Sequence, residues 1–165
     1  MPGPTPPKRV LIVDDNDGDV RLLTEAIIES GVPLQVVAAK SALDAIALLG
    51  VDPHFDLIIS DLNMPRMSGV ELFMRLQQVP GLKAIPMAIM SSSRREKLPA
   101  RVSETVSVPY FVKADSWAGF VRLAKEIHGI LADGSGGDSA QRLAERMTPP
   151  TGFPRFREPG PVNPR

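Results

Sequence analysis

Short apolar runs alternate with segments of helical period along most of this chain. Five such runs, each of a length suited to a β-strand, lie near residues 9–13, 34–38, 56–60, 86–90 and 108–112. Between them, apolar residues recur three and four positions apart, as on one face of an α-helix; the clearest stripe is Phe120, Leu123, Ile127 and Ile130. This alternation predicts an α/β fold of five strand-helix units, with helices covering both faces of a parallel sheet.

Helix boundaries are indicated by capping residues. Three serines stand where helices should begin and can accept a hydrogen bond from the first turn: Ser41, Ser68 and Ser116. Gly31 and Gly50 stand where the first two helices should end. The helix expected within 94–105 has the weakest pattern, because Pro99 is tolerated in a first turn but not in a helix interior.

The composition divides the chain into one domain and two flanking segments. Residues 1–7 are rich in proline and predict a disordered N-terminal segment. Residues 8–131 carry the strand-helix pattern. Residues 132–165 contain Gly134-Ser135-Gly136-Gly137 and many prolines, and they predict a linker followed by a mostly disordered tail.

Charge and hydropathy exclude several classes of partner. The 19 basic and 19 acidic residues balance, so no overall field favours nucleic acid or an anionic membrane. There is no cysteine, which excludes disulfides and thiolate metal sites. No apolar run approaches the roughly 20 residues of a membrane span, and no signal-peptide core is visible. We therefore expect a soluble cytoplasmic protein.

Acidic residues follow two of the predicted strands. Asp14 and Asp15 follow the first strand and Asp61 follows the third, at the edge of an α/β sheet where ligands bind. Three neighbouring carboxylates would repel one another unless a hard cation neutralised them, and oxygen ligands suit Mg²⁺. One carboxylate could then attack a phosphoryl group, with Ser91 and Lys113, at the ends of the fourth and fifth strands, contacting its oxygens.

In this order, the residues resemble the receiver domain of bacterial two-component response regulators, over roughly residues 8–131. Paired acids, an Asp followed by Met64-Pro65 and Gly69, then a hydroxyl and a lysine, follow the family's sequence. The resemblance, which extends to chemotaxis receivers, implies a doubly wound flavodoxin-like (βα)5 fold with strand order 2-1-3-4-5.

The resemblance also implies the roles of the site residues. Asp61 would be the phosphoacceptor, taking a phosphoryl group from the phosphohistidine of a sensor histidine kinase. Asp14, Asp15 and Asp61, with the backbone carbonyl of Asn63, would hold Mg²⁺. Lys113 would bind a phosphoryl oxygen as a point charge. The protein would be no enzyme beyond catalysing its own phosphoryl transfer and slow dephosphorylation.

Two further residues would form the switch of such a receiver. Ser91 would move toward the phosphoryl group, and Tyr110 would fill the space that it leaves. The surface that changes would be formed by the fourth helix, the fifth strand and the fifth helix (the α4-β5-α5 face of the family), and it would signal to a downstream protein target in a phosphorelay.

Two stretches depart from or refine the family pattern. Ala114 follows the lysine where the family commonly has proline, and Ser91-Ser92-Ser93 replaces the commoner Thr-Ala pair. The acid-rich stretch 16–21 is similar to small receivers paired with phytochrome-type kinases. The partners implied are such a kinase or a phosphotransfer protein, and a homodimer fits the same subfamily.

Two alternatives remain at this point. The chain could be a pseudo-receiver that docks partners without phosphorylation, for which Ala114 leaves some room. Residues 15–19 also nearly match the Asp-x-Asp-Gly-Thr signature of haloacid-dehalogenase-like phosphatases, with Asp15 as the nucleophile. Asp19 stands there where the signature has threonine.

Overall fold

Five parallel strands form the sheet of this protein. The computed structural model describes residues 3, 6–92 and 110–132, with the backbone alone at Tyr110. The strands of this part are β1 (Lys8–Val13), β2 (Leu34–Ala39), β3 (Leu57–Asp61), β4 (Met87–Ser91) and β5 (Tyr110–Val112). The helices, numbered in chain order among the described residues, are α1 (Asp17–Glu29), α2 (Ala42–Val51), α3 (Gly69–Gln77) and α4 (Trp117–Ala132).

The strand order is β2-β1-β3-β4-β5, and every neighbouring pair is parallel. After β1 the chain adds β2 on one side, then crosses back to place β3 on the other side. The carboxyl ends of β1 and β3 therefore meet at the point where the order reverses, which is where ligands bind in open α/β sheets. The predicted fold and the strand order 2-1-3-4-5 are confirmed.

Each face of the sheet buries its own hydrophobic core. Val10 and Ile12 of β1 pack toward one face with the apolar stripes of α1 and α4. Leu11 and Val13 pack toward the other face with α2 and α3. Because both faces are covered, the strands are apolar at successive positions and not at alternate ones. The two cores hold the strand ends in fixed relative positions.

The starts of the helices are capped by polar side chains. Asn16 Oδ1 accepts hydrogen bonds from the first turn of α1, and Ser41 Oγ accepts one from the first turn of α2. Ser68 and Glu71 exchange side-chain and backbone hydrogen bonds in a capping box at the start of α3. Ser116 Oγ accepts from the backbone of α4 at 3.3 Å. The three predicted serine caps are confirmed.

The ends of α1 and α2 differ from each other. Gly31 follows α1 with φ of +68°, a left-handed conformation that glycine adopts without strain. Gly50 was wrong as a helix terminator, because α2 continues through Val51 and the backbone N–H of Asp52 still donates to Leu48 O at 2.8 Å.

Several predictions fall outside the part of the chain that is described. These are the helix expected within 94–105, the side chain of Tyr110 and the linker and tail beyond Ala132. Within 3, 6–92 and 110–132, no helix combines the length and the apolar character needed to cross a bilayer.

Candidate functional site

The strand tips bring the predicted acidic residues together. Asp14 directly follows β1, and its backbone N–H donates to Ala39 O of β2 at 3.1 Å. Asp61 is the last residue of β3, where it pairs with Met90 of β4. Hydrogen bonding between strands thus continues to the edge of the sheet and fixes the backbone from which these carboxylates project.

Asp14, Asp15 and Asp61 form a compact carboxylate cluster. Each offers an oxygen atom, and these atoms lie within 4.8 Å of one another. Asp14 is fully buried, Asp61 is 8% exposed and Asp15 is open to solvent. Like charges at these distances are unfavourable unless a cation lies among them.

Lys113 enters the same site from the end of β5. Its backbone N–H donates to Ser91 O at 2.7 Å, which continues the pairing of β5 with β4. Its Nζ lies 2.7 Å from Asp14 Oδ2, 2.8 Å from Asp19 Oδ2 and 3.3 Å from Asp61 Oδ1. One largely buried ammonium therefore faces three carboxylates.

The buried oxygens of Asp14 test whether a metal ion fits. Oδ1 accepts a hydrogen bond from the backbone N–H of Asn16 at 2.9 Å. Oδ2 is buried and has the Lys113 ammonium at ion-pair distance, yet accepts no hydrogen bond of good geometry from the described residues. A buried anionic oxygen in that state is ready for a further cation. Together with Asp15 and Asp61, it makes an all-oxygen set that could bind a divalent metal ion.

The electrostatics of the cluster act most strongly on Asp61. Burial, followed by the charge of Asp14, raises the pKa of Asp61 to about 6, although the nearby ammonium partly offsets both. At Lys113, burial favours a lower pKa, but hydrogen bonds to Asp14 and Asp19 and the charge of Asp61 outweigh it, so the pKa is raised. The lysine is therefore always charged near neutral pH, and Asp61 is an anion that gains from a cation or an electrophile.

The loop after β3 holds Asp61 and Asn63 in place. The backbone N–H of Gly69, at the start of α3, donates to Leu62 O at 3.0 Å, which closes the loop. A Cβ at Gly69 would collide with the backbone carbonyl oxygen of Asp61, so only glycine allows this approach. Arg66 adopts a φ of 70° within the loop. Asn63 lies exposed in the loop, two residues beyond Asp61.

Ser91 and Tyr110 occupy neighbouring strands on the other side of Asp61. Ser91 is the last residue of β4, is buried and lies in register with Val112. Tyr110 begins β5 and pairs with Ile89 through the backbone. Ala114 follows Lys113 with no cis peptide bond among the described residues.

Asp19 is the site residue that sequence reasoning missed. It belongs to the first turn of α1, and its contact with Lys113 joins residues 94 positions apart. Acidic residues are common in first turns because they favour the helix dipole, so its residue type carried no special signal. Only the packing of α1 against the end of β5 shows that its carboxylate reaches the site.

With this geometry established, comparison with known proteins decides the family. The sequence profile of the response regulator receiver domain matches residues 10–115. The chain belongs to the response regulator receiver family. It is similar to the two-component response regulator ORR11 of Oryza sativa subsp. indica, with 40% identity over 97 residues, covering 59% of this chain and 63% of that protein.

A second relative, the response regulator Rcp1 of Synechocystis sp., is 33% identical over 97 residues, covering 55% of this chain and 66% of Rcp1. Each match thus spans slightly less than two thirds of the relative. This receiver also superposes on the phosphorylated cyanobacterial phytochrome response regulator RcpA, with a TM-score of 0.67 and 29% identity, covering 79% of this chain and 97% of RcpA. The Mn²⁺-bound form of Rcp1 gives a TM-score of 0.65 and 26% identity, covering 79% and 98%.

Proposed function

We propose that this receiver accepts a phosphoryl group on Asp61 from the phosphohistidine of a sensor histidine kinase or a phosphotransfer protein, in a Mg²⁺-dependent reaction. The observation that carries the proposal is the position of Asp61: a nearly buried carboxylate with a raised pKa, between the carboxylate of Asp14 and the ammonium of Lys113. This arrangement favours a reaction in which a cation binds and the carboxylate attacks an electrophile.

In this reaction, a carboxylate oxygen of Asp61 attacks phosphorus and forms the P–O bond of an acyl phosphate. The P–N bond of the phosphohistidine breaks, and its electron pair returns to the imidazole. Asp14 and Asp15, with Asp61 and the backbone carbonyl of Asn63, would hold the ion. When bound, Mg²⁺ neutralises charge that develops on the phosphoryl oxygens.

Lys113 is placed to bind a phosphoryl oxygen, since its Nζ already lies 3.3 Å from Asp61 Oδ1. Ser91, buried at the tip of the adjacent strand, would move its hydroxyl toward the same group, and Tyr110 would shift with it. The phosphoryl group would thereby favour one of two conformations of the surface that includes β5, α4 and the helix expected within 94–105.

The expected partners follow from this chemistry and from the relatives. A phytochrome-type kinase is proposed because RcpA is a phytochrome response regulator and another structural neighbour, AtBRR, is a bacteriophytochrome response regulator. The switched surface would bind a downstream protein target, and the protein would act in the cytoplasm. It would turn over no other substrate, and its catalysis would be limited to its own phosphorylation and slow dephosphorylation.

The test is the mass of the intact protein after incubation with acetyl phosphate and Mg²⁺. We expect wild type to gain the mass of one phosphoryl group, Asp61→Asn to gain none, and chelation of the metal to prevent the gain. Asp115→Asn, which removes an exposed carboxylate two residues after Lys113, is the matched control and should gain the group as wild type does.

Folded wild-type protein that gains no phosphoryl group under any of these conditions would instead support a docking module that works without phosphorylation. Release of phosphate from a phosphomonoester that stops in Asp15→Asn and continues in Asp61→Asn would support the phosphatase alternative. Either result would contradict the proposed function.

A further inference from the structure

Lys113 has no spare hydrogen-bonding capacity in this structure. An ammonium has three N–H donors. Three carboxylate oxygens surround Nζ at 2.7, 2.8 and 3.3 Å, from Asp14, Asp19 and Asp61 in that order. The contact to Asp19 Oδ2 has the geometry of a hydrogen bond. An incoming phosphoryl oxygen would therefore have to share or replace one of these partners.

Two of the three partners would change when the receiver is phosphorylated, and Asp19 would not. Asp14 would contribute its oxygen to the metal ion, and Asp61 would become an acyl phosphate. Asp19 lies outside the carboxylate cluster that could hold a metal. It would remain an anion facing Lys113, in direct competition with the phosphoryl oxygens.

The position of Asp19 is fixed by the start of α1. Asn16 donates its backbone N–H to Asp14 Oδ1 at 2.9 Å, and its Oδ1 accepts from the backbone N–H of Asp19 at 3.2 Å. These hydrogen bonds tie the first turn of α1 to the strand tip that carries the acidic cluster. Asp19 is thus held beside Lys113 by the backbone, and its contact does not depend on a long flexible side chain.

The same helical turn contains a second acidic residue in a different environment. Asp17 Oδ2 lies 2.9 Å from Lys40 Nζ, but these side chains are 70% and 72% exposed. The side chains of Asp19 and Lys113 are only 26% and 11% exposed. Solvent screens the first pair strongly and the second weakly, so the charge of Asp19 has much the larger effect on the site.

We propose that Asp19 is a positioning residue that holds Lys113 in the unphosphorylated receiver and competes with the phosphoryl group for it. This inference rests on the proposed phosphorylation of Asp61. Asp19 would lower the affinity of the site for a phosphoryl group and so set how readily the receiver leaves its resting state.

The test measures binding of beryllium fluoride, which mimics a phosphoryl group on an aspartate, in saturating Mg²⁺ by fluorine NMR. Asp19→Asn should bind it roughly tenfold more tightly than wild type, because the variant removes one anionic charge from a partly buried site within several ångströms of the ligand. Asp19→Glu, which restores the charge, should return the affinity toward that of wild type. Asp17→Asn, the matched control in the same turn, should stay within about twofold of wild type because its charge is screened.

The outcomes separate this inference from the function on which it rests. If wild type binds beryllium fluoride but Asp19→Asn binds it equally or more weakly, Asp19 does not compete for Lys113. Equal tightening in Asp19→Asn and Asp17→Asn would also overturn the inference, since it would reflect net charge alone. Failure of folded wild-type protein to bind the probe at all would overturn the proposed function as well.

Discussion

The two edges of the sheet treat charge in opposite ways. At the edge where β1 and β3 begin, the backbone N–H of Arg9 donates to Asp56 Oδ2 at 2.8 Å, and Lys8 Nζ lies 3.1 Å from Asp56 Oδ1. The guanidinium of Arg9 lies 4.5 Å from the centroid of the Phe55 ring. Every charge named here has an opposite charge, a hydrogen bond or an aromatic face beside it. At the edge where these strands end, three carboxylates share one lysine.

The pKa values record this difference. At the starting edge, the backbone hydrogen bond from His54, followed by the hydrogen bond from Arg9, lowers the pKa of Asp52 to about 2. At the ending edge, burial and the charge of Asp14 raise the pKa of Asp61 to about 6. Folding stabilises the charged form of one carboxylate and destabilises that of the other. The site is therefore the part of the fold that a bound cation can improve most.

The largest effect expected from breaking this contrast is on the lysine. Lys113→Met would leave buried Asp14 without its counter-charge, so we expect the metal-free protein to lose about 2 to 4 kcal/mol of unfolding free energy. Urea unfolding in the presence of a chelator measures the loss. Added Mg²⁺ should restore part of it, because the ion binds the same carboxylates.

The matched control is Lys8→Met at the opposite edge. The ion pair between Lys8 and Asp56 is more than one-third exposed on both sides, so its loss should cost less than about 1 kcal/mol. Equal losses in the two variants would contradict the contrast between the edges.

A second, somewhat smaller effect is the pH dependence of stability that arises from Asp61. Its pKa is raised from 3.8 to about 6, so the folded protein holds this proton more tightly than the unfolded chain does. The contribution to stability is fully present below pH 3.8 and is lost as the pH rises through about 6, by at most about 3 kcal/mol at roughly 1.4 kcal/mol per pKa unit.

This contribution is isolated by subtracting the unfolding free energies of Asp61→Asn from those of wild type, across the pH range and without metal. We expect the difference to change mainly between pH 3.8 and about 6, with Asp61→Asn the more stable protein at higher pH. Saturating Mg²⁺ should remove most of the change. A difference that stays flat across this range in the absence of metal would show that Asp61 titrates near its ordinary pKa.

The acidic edge could be predicted from sequence because it depends on strand ends. A run that is apolar at successive positions marks a strand buried on both faces, and the polar residue at its end must lie at the edge of the sheet. Asp14, Asp61 and Ser91 were located in this way. Asp61 and Ser91 proved to be the last residues of their strands, because backbone pairing continues to them.

Other parts of the site could not be reached by that reasoning. The strand order came from resemblance to a family, since spacing alone allows other orders. Asp19 meets Lys113 only because α1 packs beside the end of β5, and periodicity does not determine which first-turn acid faces the sheet. The close approach of Gly69 to Asp61 likewise depends on how α3 meets β3.

The smallest expected effect concerns this approach. Gly69→Ala should cost about 1 to 3 kcal/mol of unfolding free energy, because its Cβ would collide with the rigid carbonyl of Asp61 and force α3 away from β3. The displacement should also slow phosphorylation, since it moves the backbone that carries the acceptor. Gly50→Ala, a helical position with nothing within 4 Å of its Cβ, should instead leave stability unchanged or raise it by up to about 1 kcal/mol. Thermal unfolding of both variants, with the acetyl phosphate reaction followed in parallel, measures both effects. If Gly69→Ala were as stable and as reactive as wild type, the position of Asp61 would not depend on this contact.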